Sequence, residues 1–151
     1  MPPSYNPQTP LALALALAVV DGIETYVGVI LMGGVEEGQL TRAFISHYGV
    51  LGLIADDTLT VGVVLLFYLM ARQGGVIGLI GLTTLNTANG LRMAVVASNA
   101  LTLIVGYTNI PLVVACGVII GIVLNTPLIL KLIKDSQLLT HDPGTSLKTT
   151  S

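Results

Sequence analysis

At 151 residues the chain is the size of one small domain, yet 53% of it is hydrophobic and 9% is charged, against about 25% charged residues in soluble domains. With a mean hydropathy of +0.87 and four long apolar stretches, no room is left for a sizeable water-soluble core, and the reading is an all-α integral membrane protein, a bundle of four transmembrane helices. The net charge of −2, with no Lys/Arg run, gives no footing for a nucleic-acid partner, and Cys116, the one cysteine, excludes an intrachain disulfide and reads as a small packing residue.

Residues 1–10 (MPPSYNPQTP) are rich in Pro and polar groups, which predicts an extended polar leader with no helix of its own. The following LALALALAVV has the look of a secretory h-region. No basic segment precedes it, and Asp21 and Glu24 interrupt it where a cleavable segment would end, so it reads as a retained span over about 11–32. That length crosses a hydrocarbon core of about 30 Å. Gly33 and Gly34 end the span, and a short polar link, Glu36 to Arg42, follows.

The second apolar segment, about 43–71, is longer than a perpendicular span requires and is expected to tilt or to emerge at one end. Arg72-Gln73-Gly74-Gly75 breaks the chain next. The third segment, about 76–106, is apolar apart from Asn86, Asn89, Arg92 and Asn99. One long tilted helix is the first reading; a short Gly-rich piece (Gly75, Gly78, Gly81) followed by a helix from about Thr83 is the other. Tyr107-Thr108-Asn109 reads as a tight turn, with Asn109 as N-cap and Pro111 in the first turn of the fourth span, about 110–133. Pro127 kinks that span, and the tail over 135–151 reads as disordered. Four spans put both termini on one side. Arg72, Lys131, Lys134 and Lys148 collect there and Arg42 lies opposite, which predicts a cell-membrane protein with both termini cytoplasmic.

Five ionisable side chains fall near the middle of apolar segments: Asp21, Glu24, Asp56, Asp57 and Arg92. A charge at the centre of a bilayer costs roughly 2.5 to 3.5 kcal/mol on insertion scales, so such groups face protein or water and pair with one another. At about 100° per residue, Ala14, Ala18, Asp21, Thr25 and Gly28 share one stripe of the first helix, with Glu24 at its edge. Small residues on such a stripe let a neighbouring helix approach closely. On the third helix Asn86, Asn89, Arg92, Val96 and Asn99 occupy a sector of roughly 140°. Arg92 effectively never deprotonates and is expected to meet at least one of the four acids. Asp56 and Asp57, being adjacent, point about 100° apart, so one can meet Arg92 while the other faces a cavity or an adjoining subunit. Four acids against one arginine leave a surplus that low dielectric does not sustain, which calls for protons or a bound cation. A second segment shifted so that both aspartates lie in an aqueous vestibule would remove that demand.

Gly117 and Gly121 form a GxxxG on the fourth helix, a close-packing motif that gives weak support to oligomerisation. His47 and His141 have no ligand spacing to another His or Cys, so no metal site is expected. No P-loop, HExxH, CxxC, nucleophile elbow or dinucleotide fingerprint occurs. Asp56-Asp57 lacks the further acids of membrane diphosphate sites, and Asp21-Gly22 lacks the residues that follow it in phosphoalcohol transferases. The chain has no Trp and few aromatic residues. An enzyme is disfavoured and no cofactor is expected.

Asp21 and Thr25, spaced as Asp-x-x-x-Thr in the first helix, and Ser98-Asn99 late in the third, resemble a family of small archaeal multi-span membrane proteins with no settled activity. The link Glu36-Glu37-Gly38-Gln39-Leu40 departs from that family's Glu-x-Asn-Pro, and Asp56-Asp57 stand where a basic residue is usual; Arg92 could supply the balancing charge from another helix. The resemblance covers about two thirds of the chain and implies topology, not chemistry. The leading expectation is a non-enzymatic protein of the lipid bilayer, associating with copies of itself or a larger membrane complex, whose Asp/Glu/Arg cluster with Asn89 and Asn99 fixes helix packing and assembly. The alternative is a small proton- or cation-coupled transporter or channel. The aromatic stacking residues of small multidrug exporters are not apparent.

Overall fold

The computed structural model describes residues 6–36, 38–106 and 109–140, and all regular structure among them is helical. In chain order these are α1 (Gln8–Thr25), continued by a π-helical stretch (Tyr26–Leu31), α2 (Gln39–Tyr48), α3 (Val50–Arg72), α4 (Gly75–Val105) and α5 (Ile110–Thr140). Four helical segments are long and apolar enough to span a membrane: Gln8–Leu31, Val50–Arg72, Gly75–Val105 and Ile110–Lys134.

Helix starts and stops follow the local chemistry. Gln8 N–H donates to Asn6 Oδ1 at 3.0 Å, which turns the chain into α1, and Pro10 sits in the first turn, where a missing N–H leaves nothing unpaired. The expected leader is therefore three residues shorter than 1–10 at its C-terminal end; residues 1–5 lie outside the described part. Gly106, at φ +74°, ends α4 in the left-handed conformation that glycine accepts freely. Asn109 Oδ1 accepts from Leu112 N–H at 3.1 Å and caps α5; Tyr107 and Thr108 of the expected turn lie outside the described residues. α4 is a single 31-residue helix, about 46 Å long at 1.5 Å per residue, longer than the roughly 30 Å thickness of a bilayer's hydrocarbon core.

Two expected boundaries are corrected. The second apolar segment over 43–71 is not one helix: it breaks at Gly49, whose φ of +58° turns α2 back upon α3. The apolar run Ala43 to Ile45 belongs to α2, which also holds Arg42 and Ser46. The fourth helix does not stop near residue 133 but passes through Pro127 and continues to Thr140. Residues 135–140, expected to be disordered, are helical because the i to i−4 ladder simply runs on past Lys134; the rest of the expected tail, 141–151, lies outside the described residues.

α4 is the centre of the bundle and packs against α1, α3 and α5, while α5 packs on α4. The core holds Ala14 of α1, Val64 of α3 and Leu85 of α4, with Leu11, Leu15, Phe67 and Tyr68 around them. The expected small stripe of α1 is thus partly used: Ala14 and Ala18 are buried, and Gly28 is where Leu103 of α4 comes closest. Backbones approach closely at two crossings. A Cβ on Gly81 would collide with Met70 and Ala71 of α3, and one on Gly90 would overlap the backbone of Gly121 and the carbonyl of Gly117. Gly117 in turn faces Leu91, and Gly121 faces Thr87. The GxxxG of α5 thus receives α4 of the same chain, so it lends no support to self-association.

Gly90→Ala should force α4 and α5 apart and lower the unfolding free energy by about 1–3 kcal/mol, as overpacking does, read by thermal or SDS unfolding in detergent. Gly62→Ala, at a glycine with nothing within 4 Å of an added Cβ, should leave stability unchanged or raise it by up to about 1 kcal/mol.

Candidate functional site

The polar residues of α4 divide between two neighbours. Asn86 turns to α5: its Nδ2 donates to Asn125 Oδ1 at 3.2 Å and to the Leu124 carbonyl at 3.3 Å. Asn125 Nδ2 in turn faces the Gly121 carbonyl at 3.0 Å, Thr87 Oγ1 at 3.1 Å and the Thr83 carbonyl at 3.4 Å. Both amides are buried, at 3% and 5% exposure, and one bond, Asn86 Nδ2 to Asn125 Oδ1, ties them across the two helices. Asn125 was not among the residues expected at the site. Its signal was present: Gly117, Gly121 and Asn125 recur every fourth residue and share one face of α5.

Asn89, Arg92 and Asn99 turn to α1. Asn89, 1% exposed, donates Nδ2 to the Pro10 carbonyl at 2.9 Å and fastens the start of α1 to the middle of α4. Asn99 Nδ2 donates to Asp21 Oδ1 at 3.1 Å, and Arg92 Nε stands 3.7 Å from Asp21 Oδ2. Asp21 is therefore held from both sides by residues two turns apart on α4. The pair is half-buried, with side-chain exposures of 21% for Arg92 and 24% for Asp21.

The other acids take separate partners. Asp57 lays its carboxylate against Gly22 of α1, where an added Cβ would lie 2.6 Å from Oδ2. Only glycine at 22 leaves that space. Asp57 also lies near enough to Arg92 for their charges to interact. Asp56, pointing away by the helical turn between neighbours, accepts from Thr41 Oγ1 of α2 at 2.8 Å. Glu24 stands beside Asn99, and its Oε2 is buried without a hydrogen-bond partner among the described residues. The structure thus brings Asp21, Arg92, Asn99, Asp57 and Glu24 together between α1, α3 and α4, sets Asp56 at the α2 side, and puts Asn89 to a separate tie. Thr41 and Gly22 are additions that the sequence reading missed.

Among the described residues no three His, Cys, Asp or Glu side chains gather in a geometry able to hold a metal ion. His47 Nδ1 faces the Ala43 carbonyl at 2.8 Å on α2, and His141 lies outside the described residues. Cys116 is exposed on α5 rather than packed. No protein family matches the chain, and no curated protein or solved structure matches it. What it does has to be read from its own residues.

Replacing Asn125 by Ala should cost about 1–3 kcal/mol, because it leaves the buried Asn86 amide with the Leu124 carbonyl alone as well as removing Asn125's own bonds. Asn86→Ala/Asn125→Ala should cost less than the sum of the single changes, measured by SDS or thermal unfolding. In a double-mutant cycle, Asp21→Asn and Arg92→Leu should show a coupling of roughly 0.5–1.5 kcal/mol, kept small by the partial exposure of the pair.

Proposed function

We propose that the chain is a non-enzymatic multi-span membrane protein in which the Asp/Glu/Arg cluster acts as the fastening between helices. The observation that carries this reading is the distribution of partners. Asp21 joins α1 to α4, Asp57 joins α3 to α1, and Asp56 joins α3 to α2. Each of these acids touches a different neighbouring helix, by a bond for Asp21 and Asp56 and by close packing for Asp57, which is what a packing role requires. The apolar outer faces of the four long helices, such as Ile119, Ile122 and Val123 of α5 at about 60% exposure, fit a lipid bilayer as the surrounding solvent. Arg72, whose guanidinium lies over the Tyr68 ring at 5.9 Å, shares one end of the bundle with Lys131 and Lys134. That end is assigned to the cytoplasm, with Arg42 opposite. Assembly into a larger membrane complex would cover part of the exposed apolar surface.

One observation favours a second reading, proton- or cation-coupled transport. The surplus of acid over Arg92 includes Glu24, whose buried Oε2 has no hydrogen-bond partner among the described residues.

Purified protein in vesicles loaded with a pH-sensitive dye separates the two. The packing reading expects no proton or sodium flux above that of empty vesicles, together with a lowered unfolding midpoint for Asp21→Asn and Asp56→Asn. A wild-type flux that either substitution abolishes, without loss of stability, would establish transport and sink the packing reading.

A further inference from the structure

Between α1 and α2 the chain doubles back along the bundle. Gly34 N–H donates to the Gly28 carbonyl at 2.9 Å, so the link descends beside α1 as soon as that helix ends. Glu36 comes near enough to Asp21 for their charges to interact. From there α2 runs antiparallel to α3. Gly49 makes the turn, a Cβ on Gly52 would strike the Phe44 carbonyl, and two turns on Thr41 reaches Asp56. Asp56 is six residues into α3, about 9 Å below its start at 1.5 Å per residue. The link and the start of α2 therefore lie at the depth of the acids and not beyond the ends of the spans.

That placement has a consequence in a bilayer. Residues 32–35 and 38 are exposed and are not helical; the N–H groups of Met32, Gly34 and Gly38 have partners in the chain, but irregular backbone of this kind does not occur exposed to lipid tails. It is found at membrane depth where it is covered by protein or lines water. The side chains favour water. Gln39, Arg42 and Ser46 share the outer side of α2 and are exposed, and Arg42 Nε is drawn to the Glu36 carbonyl of the link. The opposite side of α2 differs: Leu40, Ala43, Phe44, His47 and Tyr48 line an apolar groove of about 270 Å³, continuous in sequence with the exposed Val50, Leu51 and Ile54 of α3.

We infer that residues 33–36 and 38–48 belong to a re-entrant segment, one side in lipid and the other walling a water-filled vestibule that reaches the Thr41–Asp56 bond from the non-cytoplasmic side. The inference rests on the membrane reading and on neither of its two functional forms. α2 is then the partition between two solvents, with Asp56 on the wet side.

Cysteine accessibility tests this in vesicles, with a Cys116→Ser background and a charged, membrane-impermeant maleimide on both sides. Thr41→Cys and Val35→Cys should react at least about tenfold faster than Ile54→Cys, which is shallower in α3 than Asp56 but faces lipid. Ile122→Cys, in the middle of α5, should not react. Should Thr41→Cys fail to fold, Val35→Cys against Ile54→Cys makes the same comparison. Protection of Thr41→Cys and Val35→Cys together would mean that lipid or protein covers this flank, and the vestibule would be lost. Equal reaction at Thr41→Cys and Ile54→Cys would put the whole layer outside the bilayer and overturn the inference equally. Rapid reaction of Ile122→Cys would instead defeat the membrane reading itself.

Discussion

A polar side chain that a helix carries into the buried interior has to find its partner on another helix, because an unpaired polar group there costs about 1–3 kcal/mol. α4 brings in Asn86, Asn89, Arg92 and Asn99, and the arrangement around it follows from that obligation. Asn86 requires α5 and finds Asn125. Asn89 requires the first turn of α1 and finds the Pro10 carbonyl. Arg92 and Asn99 require an acid between them and find Asp21. Apolar packing is non-directional and gives little reason for one helix order over another. These paired polar groups supply that reason, and they explain why the central helix is also the one richest in amides.

Close approach makes the pairing geometrically possible. An Asn side chain reaches only a few ångströms, so the backbones must nearly touch where two amides meet. Gly90 against Gly121, one turn from the Asn86–Asn125 pair, lets α4 and α5 do so. Gly22 does the same for Asp57 on α1, and Gly52 for α2 on α3. In each case the missing Cβ is what admits a neighbour's backbone or carboxylate.

The sequence made part of this legible. Helical phasing placed Asp21 with Ala14 and Ala18 on one stripe and Arg92 with Asn89 and Asn99 on another, because a regular 100° turn is all that such a statement requires. It treated Asn86 as part of the same polar sector, although that residue sits at the sector's edge and serves α5 instead. α2 was hidden for a physical reason: Phe44-Ile45 and Val50-Leu51 are apolar on both sides of Gly49, so a window of hydropathy reads through a one-residue reversal. Asn125 was obscured by its nearness to Pro127, which drew the reading toward a kink. Partners of Asp56 and Asp57 were out of reach for another reason. Adjacent residues diverge, and which helix lies on each side is decided by tertiary packing and not by the local sequence.

The reversal at Gly49 changes what the acid surplus means. Were Asp56 and Asp57 at the centre of a continuous 43–71 span, low dielectric would surround them and their charges would demand protons or an ion. With α2 folded back alongside, Asp56 lies about 9 Å from the start of a shorter helix, bonded to Thr41 of α2, while Asp57 turns to Gly22 of α1. The Thr41 hydroxyl supplies Asp56 with a donor there, so that carboxylate has a partner without a cation of its own. Arg92 then has to balance chiefly Asp21, the acid it touches, and the count of four acids to one arginine ceases to be a paradox of burial. Glu24 is the residue this does not relieve: it lies on the α4 side of α1 beside Asn99, with one carboxylate oxygen enclosed. Any chemistry beyond fastening that this bundle performs has its most direct foothold at that oxygen.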